Sequence, residues 1–186
     1  MNQPASRLAS YEDLFDLPPH LIGEILNGEV HTQPRPSPRH ALAASVLGDE
    51  FVSPYQRGRG GPGGWWILFE PEIHLGPHIL VPDLAGWKRE RMPTLPDDAY
   101  FTLSPDWICE VLSPGTERTD RVVKMPIYAA QEVRWLWLVS PDQRTLEAFR
   151  LHDGHWLMEN AWQHHNMVQA PPFSEHPFRL NDLWAS

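Results

Sequence analysis

The sequence predicts an α/β domain built on a mixed β-sheet flanked by helices. Three observations predict it. From Pro38 onward the patterns run helix, three strands, helix, strand, so a meander is followed by a helical crossover. The run "RWLWLVS", residues 134–140, is apolar almost throughout, as a central strand buried on both faces must be. With 186 residues, 41% hydrophobic and 11% aromatic, the chain suits one domain over residues 1–186 with a substantial core.

The elements follow in order. Ser10 with Asp13 resembles a capping box and predicts a short helix near Tyr11. Pro18 and Pro19 stop it. Asn27-Gly28, between two apolar-containing runs, predicts a type I′ hairpin. Ser37 is an N-cap and Pro38 a first helical residue. His40, Ala44, Leu47 and Phe51 share one face of that helix, and Pro54 ends it. "RGRGGPGG", residues 57–64, reads as a mobile loop. "WWILFEPEIHLG" and "HILVPDLAGW" read as two strands joined at Gly76-Pro77. Residues 89–105 form a proline-punctuated loop, and "DWICEVLS" is a third strand closed by Pro114-Gly115. A helix is expected from about Thr119 to Gln131, then the strand of residues 134–140. Pro141-Asp142 turns the chain into "TLEAFR", a hairpin partner. The C-terminal part is expected to hold one short strand around Trp156 and an irregular tail.

Net charge is −9, which argues against a general nucleic-acid coat. It leaves room for a carboxylate site that holds divalent cations. Only two of the 15 basic residues are lysines, Lys88 and Lys124. The single cysteine, Cys109, excludes an internal disulfide and fits a reducing compartment. "MNQPASRLASYEDLF" has no apolar run of a signal peptide, and no stretch approaches the ~20 apolar residues of a membrane helix. A cytoplasmic protein with no membrane partner is expected.

Side chains alternate along "DWICEVLS". Ile108, Glu110 and Leu112 share one face, so Glu110 is a charge in the middle of an apolar strand. A buried carboxylate needs a cation or a donor. Asp83 ends the preceding strand after Pro82 and is the obvious neighbour. Two carboxylates with few bases nearby repel each other unless a divalent cation joins them, and hard oxygens suit Mg²⁺ or Mn²⁺. The residues alone leave a second account open: Asp83 caps a turn and Glu110 pairs with an arginine. Cys109 reads as core. His152/His155 and His164/His165 lack a zinc pattern. "RGRGGPGG" lacks the Lys-Ser/Thr ending of a phosphate loop. Lys88, Arg89 and Arg91, with Arg118 and Arg121, are the only basic clusters near the candidate site and the phosphate contacts to expect if the protein binds DNA; otherwise they form a solvated charged loop.

An Asp after Pro at a strand end, then Glu110 in the next strand, resembles the PD-(D/E)xK nuclease superfamily. "GEILNGEV", "PSPRH", "VPDLAGWKRERM", "PDWICEVLSPGTERTD", Lys124 and "VRWLWLVSPDQRTLEAF" follow in order from about Leu21 to Phe149. In that order they resemble the Uma2 family of restriction-endonuclease-like proteins, also called DUF820. The resemblance implies a restriction-endonuclease-like α/β core and a divalent-metal-dependent endonuclease that hydrolyses phosphodiester bonds. Asp83, Glu110 and the main-chain carbonyl of Val111 would hold Mg²⁺ or Mn²⁺. The superfamily places a lysine two residues after the Glu, where this chain has Leu112. The Uma2 pattern places it in the following helix, which corresponds to Lys124, with Pro126 close behind. Lys124 would stabilise charge on the phosphate or orient water, and Glu24 resembles a further acidic residue of such sites. His40 could contact substrate or sit at the core edge bonded to a carbonyl; Lys88, Arg89, Arg91, Arg118 and Arg121 are the expected contacts to nucleic acid, DNA by expectation, and the resemblance adds a homodimer. The alternative is a non-catalytic binding or interaction protein that keeps the nuclease fold.

Overall fold

The computed structural model describes residues 7–185. Met1–Ser6, part of the stretch read as lacking a signal peptide, lies outside them. The first helix, α1 (Glu12–Phe15), starts as expected. The N–H and Oγ of Ser10 both donate to the Asp13 carboxylate, at 2.7 and 3.2 Å. β1 (Leu21–Leu26) and β2 (Glu29–Pro34) pair antiparallel. Asn27 and Gly28 between them take φ of 54° and 80°, the left-handed pair of a type I′ turn.

α2 (Pro38–Phe51) is capped by Ser37, whose side chain accepts the His40 N–H. Its buried face is Ala43, Leu47 and Phe51, centred on Ala43 rather than the half-buried Ala44. Pro54 does not end the helix. The chain widens into a π turn, Val52–Gln56, which keeps Tyr55 in the core against Phe51 and Phe173. The loop at 57–64 is irregular, and Gly63 N–H ties it back to the Pro54 carbonyl at 2.9 Å.

The two long strands expected next each break in the middle. They become β3 (Trp65–Phe69) and β4 (Ile73–Leu75), then β5 (His78–Leu80) and β6 (Leu84–Lys88). Glu70, at φ 44°, and Pro71 break the first. Pro82 breaks the second, because a proline cannot donate to a ladder. The halves nearest the turn join β1 and β2 in a sheet ordered β2-β1-β5-β4. The other halves join β7 (Trp107–Val111), and the chain then enters a helical run of α3 (Glu117–Thr119), a π turn (Asp120–Lys124) and α4 (Met125–Ala130). It returns as β8 (Trp135–Ser140), β9 (Thr145–His152) and β10 (His155–Gln163). The large sheet is ordered β10-β9-β8-β7-β6-β3. β7 and β8 pair parallel, as a helical crossover requires.

Each face of the large sheet has its own core. Trp107, Cys109 and Trp137 pack with Leu47 and Phe51 of α2. Ile108, Leu112 and Leu136 pack with Ile127 and Tyr128 of α4 and with Leu26 and Leu80 of the small sheet. The irregular C-terminal tail that the sequence predicts is replaced by ordered structure. β10 spans nine residues, and β11 (Met167–Val168), β12 (Phe178–Arg179) and a 3-10 turn at Leu180–Leu183 follow. Val168, Phe173, Phe178, Leu180 and Leu183 are buried under α2. Their spacing has no strand or helix period, so the pattern hides what is a lid on the core. No helix among the described residues is long and apolar enough to cross a membrane.

Candidate active site

Asp83 sits in the break between β5 and β6. Its Oδ2 accepts the Val111 N–H at 2.7 Å, which fixes it against the end of β7. Its Oδ1 lies 3.1 Å from His40 Nε2. Burial pushes the His40 imidazole down, but the Asp83 carboxylate and the Val111 backbone outweigh it, and the net shift is upward. His40 Nδ1 is buried without a partner among the described residues.

Glu110, in the middle of β7, is 2% exposed, the buried charge that strand alternation predicts. Its Oε1 accepts the Tyr128 hydroxyl at 2.6 Å and the Lys124 ammonium at 3.3 Å. The same ammonium lies 2.9 Å from Glu24 Oε1 and 3.3 Å from Asp120 Oδ1. Glu24 Oε1 also accepts the Val81 N–H at 2.8 Å. Lys124 itself is 1% exposed. One cation therefore serves three buried carboxylates, with Asp83 close by. Burial raises the Glu110 carboxyl well above its usual range. Lys124 opposes the rise, while Asp120, Asp83 and Glu24 add to it. Burial also raises Asp120. Lys124 is raised too, because its carboxylates overcome the burial that would lower it.

Leu112, two residues after Glu110, is buried in the core, so no cation stands at that strand position. The helical run supplies the cation instead. Its π turn delivers Lys124, and Pro126 falls in the first turn of α4, where a proline is tolerated. Asp120 and Tyr128 are partners that sequence reasoning missed. Their signal was present: they stand four residues before and four after Lys124, on one helical face.

A cleft of about 260 Å³ opens over Asp83 and His40, walled by Pro34, Arg35, Ser37 and Thr116. A smaller one of about 40 Å³ reaches Glu24, Asp120 and Lys124. Both are lined by Thr32, Gln33, Gly115 and Thr116. Together they make a groove between β2 and the turn after β7, lined by Asp83, Glu24 and Asp120, with Glu110 buried behind it.

Lys88, Arg89 and Arg91 are not brought to this groove. Lys88 ends β6, about 16 Å from Asp83 at the rise of an extended strand, and Arg89 and Arg91 lie in the turn beyond it. Arg89 stacks 3.8 Å over Trp66 and donates to the Trp65 and Gln56 carbonyls. Arg91 pairs with Asp106 at 3.0 Å, and Lys88 lies 3.7 Å from Glu90. Arg121 is held by Glu117 and Glu147 at 3.0 and 2.6 Å. Arg118 is exposed beside the lining residues Thr116 and Thr119. Arg35, absent from the sequence-based set, lines the larger cleft.

Among the described residues, no three His, Cys, Asp or Glu side chains converge as a ready metal cage. The donors that fit a hard cation are two carboxylates, Asp83 and Glu110, and the Val111 carbonyl. Both bonds to Glu110 fall on Oε1, so Oε2 is not engaged by them.

Comparison with known proteins agrees with this fold. The Uma2 family model, described as "Putative restriction endonuclease", matches residues 9–181. A solved structure from Anabaena variabilis ATCC 29413, described as a "putative nuclease belonging to DUF820", superposes with a TM-score of 0.74 at 23% identity. The alignment covers 92% of this chain and 95% of that one. No curated protein matches the chain.

Proposed function

The chain belongs to the Uma2 family, and from that premise we propose that it is a divalent-metal-dependent endonuclease hydrolysing nucleic-acid phosphodiester bonds, with DNA as the expected substrate. One observation carries the reading: Glu24, Glu110 and Asp120 share the single ammonium of Lys124, with Asp83 alongside. Buried like charges at this density are relieved by a second cation or by taking up protons. Asp83, Glu110 and the Val111 carbonyl would hold Mg²⁺ or Mn²⁺. When bound, such an ion polarises a phosphate oxygen and lowers the pKa of a water. Lys124 stabilises the negative charge that builds on the phosphate. Glu24 and Asp120 hold its ammonium in place. His40, at the edge of the larger cleft, holds Asp83 and faces the incoming substrate. A cytoplasmic homodimer of one-domain chains, each cutting one strand, belongs to the same reading.

The burial of Lys124 and its three ion pairs also suit a non-catalytic member of the family, in which the cluster only holds the fold. Metal binding and cleavage separate the two. The wild-type chain is expected to take Mn²⁺ in calorimetry and to cut plasmid or single-stranded DNA with Mn²⁺ or Mg²⁺. Asp83→Ala should abolish both. Lys124→Ala, assayed where its melt shows it folded, should lower cleavage ~10²–10³-fold. Activity that survives Asp83→Ala, or a wild-type chain that takes no Mn²⁺, rejects the nuclease assignment.

A further inference from the structure

Tyr128 is fully buried. It sits in the apolar core with Ile108, Leu112 and Ile127, yet its hydroxyl ends on a carboxylate, Glu110 Oε1, at 2.6 Å. A buried tyrosine hydroxyl needs a partner, and here the partner is a residue of the candidate metal site. Lys124, one helical turn earlier, donates to the same oxygen at 3.3 Å. A carboxylate offers about two acceptor positions on each oxygen. Two donors on Oε1 therefore occupy that oxygen and leave Oε2 as the one able to ligate.

We propose that Tyr128 makes Glu110 a one-oxygen ligand and thereby makes the site select Mg²⁺ or Mn²⁺ over Ca²⁺. The proposal rests on the reading of Glu110 as a metal ligand. Its physical basis is coordination number. Ca²⁺ takes six to eight oxygens and commonly grips a carboxylate through both. Mg²⁺ demands a tight octahedron, which single-oxygen ligands build best. A donor locked onto Oε1 blocks the two-oxygen grip and costs the smaller ion nothing. Tyr128 is a positioning residue: it acts through Glu110 and need not touch substrate.

The test is Tyr128→Phe, which deletes the hydroxyl alone. Calorimetric titrations of the full chain with Mn²⁺, Mg²⁺ and Ca²⁺ are compared with wild type, and thermal melts in EDTA report folding. Tyr55→Phe is the control. Tyr55 is another buried tyrosine, on the opposite face of the sheet, and its hydroxyl has no partner among the described residues. Tyr128→Phe is expected to weaken Mn²⁺ about tenfold, the usual effect of removing a group that orients a ligand. It should also raise Ca²⁺ affinity relative to Mg²⁺, a ratio that a merely structural defect does not move. Tyr55→Phe should change neither. An unchanged Ca²⁺/Mg²⁺ ratio in Tyr128→Phe overturns the proposal, and so does a variant that no longer melts cooperatively, which would mark Tyr128 as structural. A wild-type chain that takes none of the three ions instead fails the nuclease reading, and the role of Tyr128 falls with it.

Discussion

Lys124 faces three carboxylates with one positive charge. Removing it leaves all three buried without a counter-ion. Lys124→Met is expected to cost ~3–5 kcal/mol in a denaturant melt, the scale for a buried pair that loses one partner. Glu110→Gln should act in the opposite sense. Glutamine keeps an oxygen for Tyr128 and sheds a charge that Asp83, Asp120 and Glu24 oppose. In EDTA it should melt no lower than wild type, while binding Mn²⁺ poorly. The same imbalance sets a pH dependence. Glu110 and Asp120 are raised, chiefly by burial, so each binds its proton more readily folded than unfolded. Metal-free stability therefore falls as pH rises from the ordinary carboxylate range through their folded values. His40, raised, contributes stability below its ordinary value that is lost as pH climbs past it. Glu12 and Asp13 are lowered and act only at more acid pH. In EDTA the wild type should melt higher at about pH 5 than at about pH 8, with a smaller difference in Glu110→Gln. If the site takes Mg²⁺ as proposed, the ion should restore stability at neutral pH, because a ligand that binds only the folded state stabilises it. Metal-free melting that rises across this window would contradict the account.

At the scale of elements, local chemistry was legible where it has a local cause. Ser10 with Asp13, Asn27-Gly28 and Ser37-Pro38 each set their turn or cap through contacts a few residues apart. The meander, the crossover and the placement of Glu110 were legible from periodicity alone. The π turns were not, because their cause is tertiary. In the second, Asp120–Lys124, one wide turn lets a single helical run present Asp120 and Lys124 to Glu24 while Ile127 and Tyr128 stay in the core. Val122 lies in that turn and is 62% exposed. Deleting it should tighten the turn to ordinary α geometry at little cost in packing, since a π turn is locally one residue wider than an α turn. The rotation would carry Asp120 and the preceding residues away from Lys124. The Val122 deletion is expected to fold cooperatively yet cleave at least ~10²-fold more slowly, the scale for a small misplacement of reacting groups. Wild-type cleavage rates in this variant would show that the π turn does not set the site.

At the scale of the whole molecule, neighbours in the chain are not neighbours in the fold. Lys88, Arg89 and Arg91 are close to Asp83 in sequence, but an extended strand carries them to the other end of the sheet. There Arg89 and Arg91 are spent on Trp66, main-chain carbonyls and Asp106. The C-terminal lid was illegible for a related reason: its apolar residues meet α2 only after the chain has crossed the sheet. The net charge of −9 still bounds how nucleic acid can bind. Few phosphates can be neutralised, and the exposed cations at the groove are Arg35, which lines it, and Arg118, beside it. Each phosphate contact adds about 0.7–0.9 to the slope of log affinity against log salt. We therefore expect a shallow slope, equivalent to a few contacts. Arg35→Ala and Arg118→Ala should each weaken binding and flatten that slope by about one contact, whereas Lys88→Ala should leave affinity and slope unchanged. Fluorescence anisotropy with labelled DNA over a salt series, in an Asp83→Ala background so that the probe stays intact, measures all three. A loss confined to Lys88→Ala would move the nucleic-acid path to the far end of β6 and away from the groove.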